Sequence, residues 1–253
     1  MKYKKLLWAI AIVIIFLLFV LWFILGRGNS NALWEIVSQK CVPNQQSNGN
    51  PAPCLNVDLK DGYALLKDLR GPYHDLLIPS TKITGIESPV LLQNNTPSFF
   101  AAAWNYRGYI VKEIGKPVKN EYLSLSINSQ YGRSQNQLHI HISCLRPEVY
   151  HTLHEQSTAI STHWQPLGVE LQGHKYLAIK LTTTDLTQSD PFKTLYRYVH
   201  RQDDSMGNYG LAVVFTPSGD PILLANRLDI LDANRGSAEE IQDITCALVK
   251  ENN

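Results

Sequence analysis

The sequence predicts an α+β domain built on an antiparallel sheet and tethered behind one membrane helix. Three observations predict it. An unbroken apolar run fills residues 6–25. Short alternating segments joined by tight turns follow it, as antiparallel hairpins require. Longer apolar or amphipathic segments, suited to helices, interrupt them. At 253 residues the chain suits one large domain or two small ones, and 44% hydrophobic with 18% charged residues is a globular composition. Lys and Arg total 23 against 22 Asp and Glu, a net charge of +1, so no wide basic field is present to hold nucleic acid. Fifteen Gly, 13 Pro and four Cys exclude collagen-like and disulfide-dense classes.

The run Leu6 to Leu25 contains no charged or polar residue. Twenty helical residues span roughly 30 Å, the thickness of a bilayer core. A cleaved signal peptide has about 7–15 apolar residues and a small-x-small site; the flank Gly26-Arg27-Gly28-Asn29 offers none. Trp8 and Trp22 lie near the two ends, where interface residues sit. Lys2, Lys4 and Lys5 precede the span and only Arg27 follows closely. The positive-inside rule then places residues 1–5 in the cytoplasm and 28–253 beyond the membrane. Cys41 and Cys54 bracket VPNQQSNGNPAP, a segment that a disulfide would staple in an oxidising compartment. Cys144 and Cys246 would bridge by elimination, since no C-x-x-C spacing favours zinc.

Along the outer domain, Asn29 to Lys40 reads as a short helix leaving the membrane. Residues 62–67 and 74–79 read as strands around the turn Asp68-Leu-Arg-Gly-Pro72. A helix runs from Phe99 to about Ile114, ended by Gly115. Residues 123–128 alternate as a strand, Gln130 to Ser134 turn, and Gln137 to Cys144 return. The second half echoes this order: strand 176–180, helix 191–199, strand 209–215, a turn, and strand 221–226. The echo suggests a degenerate internal repeat with halves at 55–150 and 170–250. Ser237 with Glu240 forms a capping box for a last helix, with Ile241, Ile244, Ala247 and Leu248 as its apolar side.

The sharpest chemical signal is Gln137-Leu-His-Ile-His-Ile-Ser-Cys144. In a strand, His139, His141 and Ser143 share one face, while Leu138, Ile140, Ile142 and Cys144 share the other, toward the core. Three readings stay open. The residues can be polar groups on a solvated face. They can be a zinc site, for which His74 would supply a third ligand. Or a neutral imidazole can attack phosphorus while its neighbours hold its tautomer and bind phosphate oxygens. His151, His154, His163 and His200 read as surface residues, and His174 leads into a strand that could approach the site. Arg133, Arg146 and Lys67 could meet phosphates, although cations near turns are usually solvated.

Asn128, Gly132, Gln135, His139, His141 and Ser143 fall on the pattern of the histidine-triad (HIT) superfamily: an amide residue, a Gly-containing turn, a Gln, then alternating histidines. Leu66-Lys-Asp68 with Gly71 to Pro79 resembles the paired strands of that superfamily, a His opening the second. The apolar anchor, the CVPNQQSNGNPAPC loop, INSQYGRSQNQLHIHISCLRP, MGNYGLAVV and SAEEIQD together resemble its bacterial inner-membrane branch, the CDP-diacylglycerol pyrophosphatases. The resemblance implies a HIT-like sheet with helices packed on one side, two halves pairing as two HIT subunits do, and catalytic residues kept only by the first. It implies hydrolysis of CDP-diacylglycerol to CMP and phosphatidate in phospholipid metabolism, with no metal and no cofactor; a broader nucleotide pyrophosphatase or nucleotidyltransferase, or a membrane-tethered binding module with a dead site, stays open beside it. It implies a periplasmic catalytic domain and a monomer or weak dimer. It makes His141 the nucleophile and packs His139 beside it, the His139 backbone carbonyl receiving the other ring N–H. Asn128 and Gln135 become substrate-binding residues. The third histidine is replaced by Ser143, which can donate to a phosphate oxygen but cannot act as an acid near neutral pH.

Overall fold

The computed structural model describes residues 3, 8, 12–17 and 28–251. The expected cytoplasmic segment 1–5 and membrane span 6–25 lie for the most part outside them. Among the described residues, no helix is long and apolar enough to cross a membrane.

One ten-stranded, wholly antiparallel sheet organises the rest: β1 Asn56–Asp58, β2 Tyr63–Lys67, β3 His74–Pro79, β4 Leu123–Ile127, β5 Ile140–Leu145, β6 Gln165–Leu171, β7 His174–Lys180, β8 Tyr209–Phe215, β9 Pro221–Arg227 and β10 Gln242–Asp243. The strand order is β1-β2-β3-β5-β4-β8-β9-β7-β6, with β10 on β5. From one end the meander β1-β2-β3 leads to the crossed pair β5–β4, from the other the hairpin β6–β7 leads to the crossed pair β9–β8, and β4 and β8 meet between them. Helices Phe99–Tyr106 and Gly108–Ile114 separate β3 from β4, and helix Pro191–Arg201 separates β7 from β8.

Ile140, Ile142 and Cys144 lie in the main core with Phe99, Phe100 and Ala103, so β5 buries its apolar face under these helices. Phe100 also meets Phe192 at 4.9 Å, which joins the two helical layers. The expected single break after Ile114 is there, with Gly115 in the left-handed region at φ 70°. A second break at Arg107 divides the helix.

The structure corrects four expectations. Helices are not confined to one side. A helical stretch from Ala32 to Asn48 packs Val37 and Cys41 on Ala64, Leu66, Leu76 and Ile78, and Leu76 lies beside His141 on the opposite sheet face. The Cys41–Cys54 segment is accordingly helical over Val42–Asn48. A π turn, Val37–Cys41, ends two residues before Pro43, whose missing N–H and bulky ring disturb the α pattern there. The capping box at Ser237 does not form: Ser237 makes no side-chain cap, and the segment runs as a 3₁₀ turn Ala238–Ile241, then β10, before a short helix Ala247–Glu251. Finally, helix Pro147–Gln156 and strand β6 occupy the polar stretch after the histidine motif. Only Val149 and Leu153 of that helix are buried, too few apolar positions to signal it. Both disulfides pair as expected, Cys41–Cys54 and Cys144–Cys246.

Candidate active site

Strand β5 is central, so the motif face lies inside the molecule: His141 is 0% and His139 6% exposed. Register sets the neighbours. On β3, Leu76 pairs with His141 and His74 with Ser143; on β4, Ser126 pairs with His141. His74 Nε2 lies 2.9 Å from His141 Nδ1, and the two rings stack at 5.0 Å. That nitrogen was expected to meet the His139 carbonyl; His74 takes the place. His139 packs edge-on to His141 at 4.8 Å and donates Nδ1–H to the Gln137 carbonyl at 2.7 Å.

The contacts arrange a proton chain. With Nδ1 of His141 facing His74, Nε2 is the nitrogen left to react. A lone pair on Nε2 requires the proton on Nδ1, donated to His74 Nε2. The remaining His74 proton then sits on Nδ1, 3.5 Å from the Asp68 carboxylate. Burial depresses the His141 pKa well below the usual imidazole value, and His139, His74 and Arg70 depress it further. Burial lowers His74 to about 4, against the pull of Asp68. Burial also lowers His139. All three rings are therefore held neutral, the form that a nitrogen nucleophile needs.

Sequence reasoning missed the groups that cover this face. Asp68 and Arg70 come from the β2–β3 turn and Glu239 from the 3₁₀ turn. Arg70 binds Asp68 through Nε and Nη2 and both oxygens of Glu239 through Nη1 and Nη2 at 3.1 Å. Glu239 Oε2 in turn lies 3.1 Å from His141 Nε2, out of line for a hydrogen bond. Gln242 reaches across β5 to Ser124 and Ser126 on β4 and donates to the His141 carbonyl at 3.3 Å. A cleft of about 270 Å³ beside His74 is lined by Arg70, Arg146, Glu239, Glu240 and Gln242. An arginine in a turn reads as a solvated cation, and no local pattern links residues 70 and 239.

The remaining expected site residues have other attachments. Ser143 Oγ donates to the Tyr73 carbonyl at 2.7 Å and lies 3.3 Å from that of Asp243. Asn128 Oδ1 accepts from the Glu239 backbone N–H at 3.1 Å, which positions the turn above the histidines. Gln135 faces the N-terminal helix, donating to the Asn29 carbonyl and accepting from Leu33 N–H. His174 is placed at the start of β7 as His74 is at the start of β3, and it binds Glu240 at 2.9 Å together with Tyr176 and Asn226. Asp68, His74 and His141 present ligand atoms within 4.8 Å of one another, and a metal ion could be held there.

Residues 28–250 match the family model described as CDP-diacylglycerol pyrophosphatase. The chain belongs to that family. A CDP-diacylglycerol pyrophosphatase of Yersinia pestis is 46% identical over 222 residues, covering 88% of this chain and 86% of the relative. Membership makes the chain an enzyme of the hydrolase class. The matched region begins after the apolar run and takes in every residue of the cluster around His141.

Proposed function

We propose that the enzyme hydrolyses the pyrophosphate bond of CDP-diacylglycerol through a cytidylyl-histidine on His141. The observation that carries this reading is a buried, neutral imidazole whose Nδ1 is occupied by His74 and whose Nε2 lies 3.1 Å from Glu239, a residue that lines the cleft. In the first step Nε2 forms a bond to the nucleotide-side phosphorus, and the bond from that phosphorus to the bridging oxygen breaks. Phosphatidate leaves with the electron pair. The positive charge gained by the His141 ring is relayed to His74 and faces the Asp68 carboxylate. In the second step water attacks the same phosphorus and gives up a proton to solvent, the P–N bond breaks back onto Nε2 while His74 returns the Nδ1 proton, and CMP departs.

A phosphate monoester leaving group has a second pKa near 6, so it departs with little protonation. That chemistry tolerates Ser143 in the place of a histidine acid. Ser143 is also held by the Tyr73 carbonyl, so its larger share is to keep β3 and the β10 segment together over the nucleophile.

The sheet supports the HIT-like reading of the family. Each half contributes a hairpin and a crossed pair, joined at β4–β8, as a duplication would leave them. Only the first half carries histidines at positions 139 and 141; the corresponding strand β9 carries Leu224 and Asn226. A membrane anchor at residues 6–25, an inner-membrane location and a periplasmic domain suit a substrate that stays in the bilayer.

The experiment is turnover of CDP-diacylglycerol by the detergent-solubilised chain. Native protein yields CMP and phosphatidate, and His141→Ala yields neither. Retained activity in His141→Ala would overturn the assignment. A second reading, metal-assisted hydrolysis, is favoured by the Asp68–His74–His141 trio alone. It requires activity to vanish on chelation and return with a divalent ion, whereas the histidine route is unaffected by chelators.

A further inference from the structure

Glu239 stands where the reacting phosphorus must go. A phosphoryl group bonded to His141 Nε2 has its oxygens within about 3 Å of that nitrogen, and the Glu239 carboxylate already lies at 3.1 Å. Among the described residues its only hydrogen-bonding side-chain partner is Arg70, and the partnership is a two-pronged pair of the kind that arginine makes with phosphate. Arg70 has an independent hold: Asp68 binds Nε and Nη2 from the other side, so the guanidinium stays in place if Glu239 leaves. Its side chain is 54% exposed and that of Glu239 26%, so both can be reached from the cleft.

The neighbouring carboxylate shows the contrast. Glu240 is fixed by His174, Tyr176 and Asn226, three donors within 3.0 Å. The backbone of the turn is fixed as well, through Asn128 to Glu239 N–H and through Arg146 Nε to the Glu240 carbonyl. The Glu239 side chain can therefore swing out while the turn that carries it stays.

We propose that Arg70 is the diphosphate-binding residue of this enzyme, and that Glu239 is an anionic placeholder which the substrate displaces from both Arg70 and His141 Nε2. The inference rests on the histidine mechanism proposed above. A single carboxylate competes with the incoming group for the same two Nη donors. A diphosphate, with its greater charge, wins that exchange where a weaker anion does not. Glu239 thus sets a threshold of anionic charge for entry and keeps the nucleophile covered between turnovers.

The test is equilibrium binding of inorganic pyrophosphate to the full chain, alongside KM and kcat for CDP-diacylglycerol. Glu239→Gln keeps the shape and removes the competing charge. Pyrophosphate binding then tightens by on the order of tenfold, KM falls, and kcat does not fall. Arg70→Ala loses pyrophosphate binding, Arg70→Lys recovers part of it, and adding Glu239→Gln to Arg70→Ala gives no gain. Unchanged or weaker binding by Glu239→Gln would overturn the proposal. So would a drop in kcat at constant KM with loss of one limb of the pH profile, which would make Glu239 a proton-transfer group. Pyrophosphate binding can also be read in His141→Ala, where no turnover is needed. Failure of the nucleophile assignment and failure of the placeholder therefore give different results.

Discussion

At the scale of single residues, the cluster works because protein surrounds it. As the proposed nucleophile, His141 would react in its neutral form, and burial, with His139, His74 and Arg70, holds its pKa well below the ordinary imidazole value near 6.5. Protonation removes the nucleophile only as pH falls through that lowered value. The acid limb of kcat/KM is thus expected below pH 6.5, and a limb at pH 7 or above would contradict the electrostatics. A second buried group lies on the other sheet face. Asp75 is fully buried, neither carboxylate oxygen makes a hydrogen bond, and Lys67 lies 3.4 Å away. Burial raises its pKa to about 6, with Lys67 opposing. The folded state therefore holds a proton that the unfolded chain has lost above about 3.9, so stability falls as pH rises through 4 to 6. Asp75→Asn is expected to stabilise the fold at pH 8, by up to about 3 kcal/mol, and by less at pH 5. Melting temperatures at the two pH values check the sign.

At the scale of elements, two loops complete a site that one strand begins. The alternation of the motif strand was legible because period-two patterning alone assigns its faces. His139, His141 and Ser143 do lie opposite Ile140, Ile142 and Cys144. The roles of His74, Asp68, Arg70 and Glu239 were not legible, because strand pairing across more than 60 residues brings them in and turns carry no periodic signal. The strap from Ser237 to Asp243 was misread for a related reason. Its Ser and Glu match a helix cap, yet Asn128, Arg146 and β5 satisfy its backbone in tertiary contacts. The Cys144–Cys246 bridge ties the chain just beyond this strap to the histidine-motif strand across a separation of 102 residues, against 13 for Cys41–Cys54. Loop-closure entropy gives about 4.7 kcal/mol for a loop near 100 residues and about 3 for one near 15. Replacing the long bridge by two Ala is expected to lower the melting temperature more, and to reduce kcat by loosening the strap over His141. Equal losses of stability from both bridges would show that the denatured chain is not governed by loop length.

At the scale of the whole molecule, the described residues make one continuous ten-stranded sheet. The echo of strand, helix and hairpin in the sequence held no sign of the central β4–β8 pairing, which joins residues 84 to 90 apart in the chain. On β7 and β9, His174, Tyr176 and Asn226 all bind Glu240, the neighbour of Glu239 in the 3₁₀ turn. That polar cluster is thereby filled, which agrees with the proposal that chemistry belongs to the paired histidines. The central claim is that turnover passes through a phosphoramidate on one nitrogen. The direct measurement is acid-free quenching of the enzyme during turnover of CDP-diacylglycerol, then peptide mass spectrometry. The account predicts a cytidylyl group on the peptide bearing His139 and His141, localised to His141 and absent from His141→Ala. A cytidylyl group on any other residue, or its absence under conditions where turnover is limited by the second step, would contradict it.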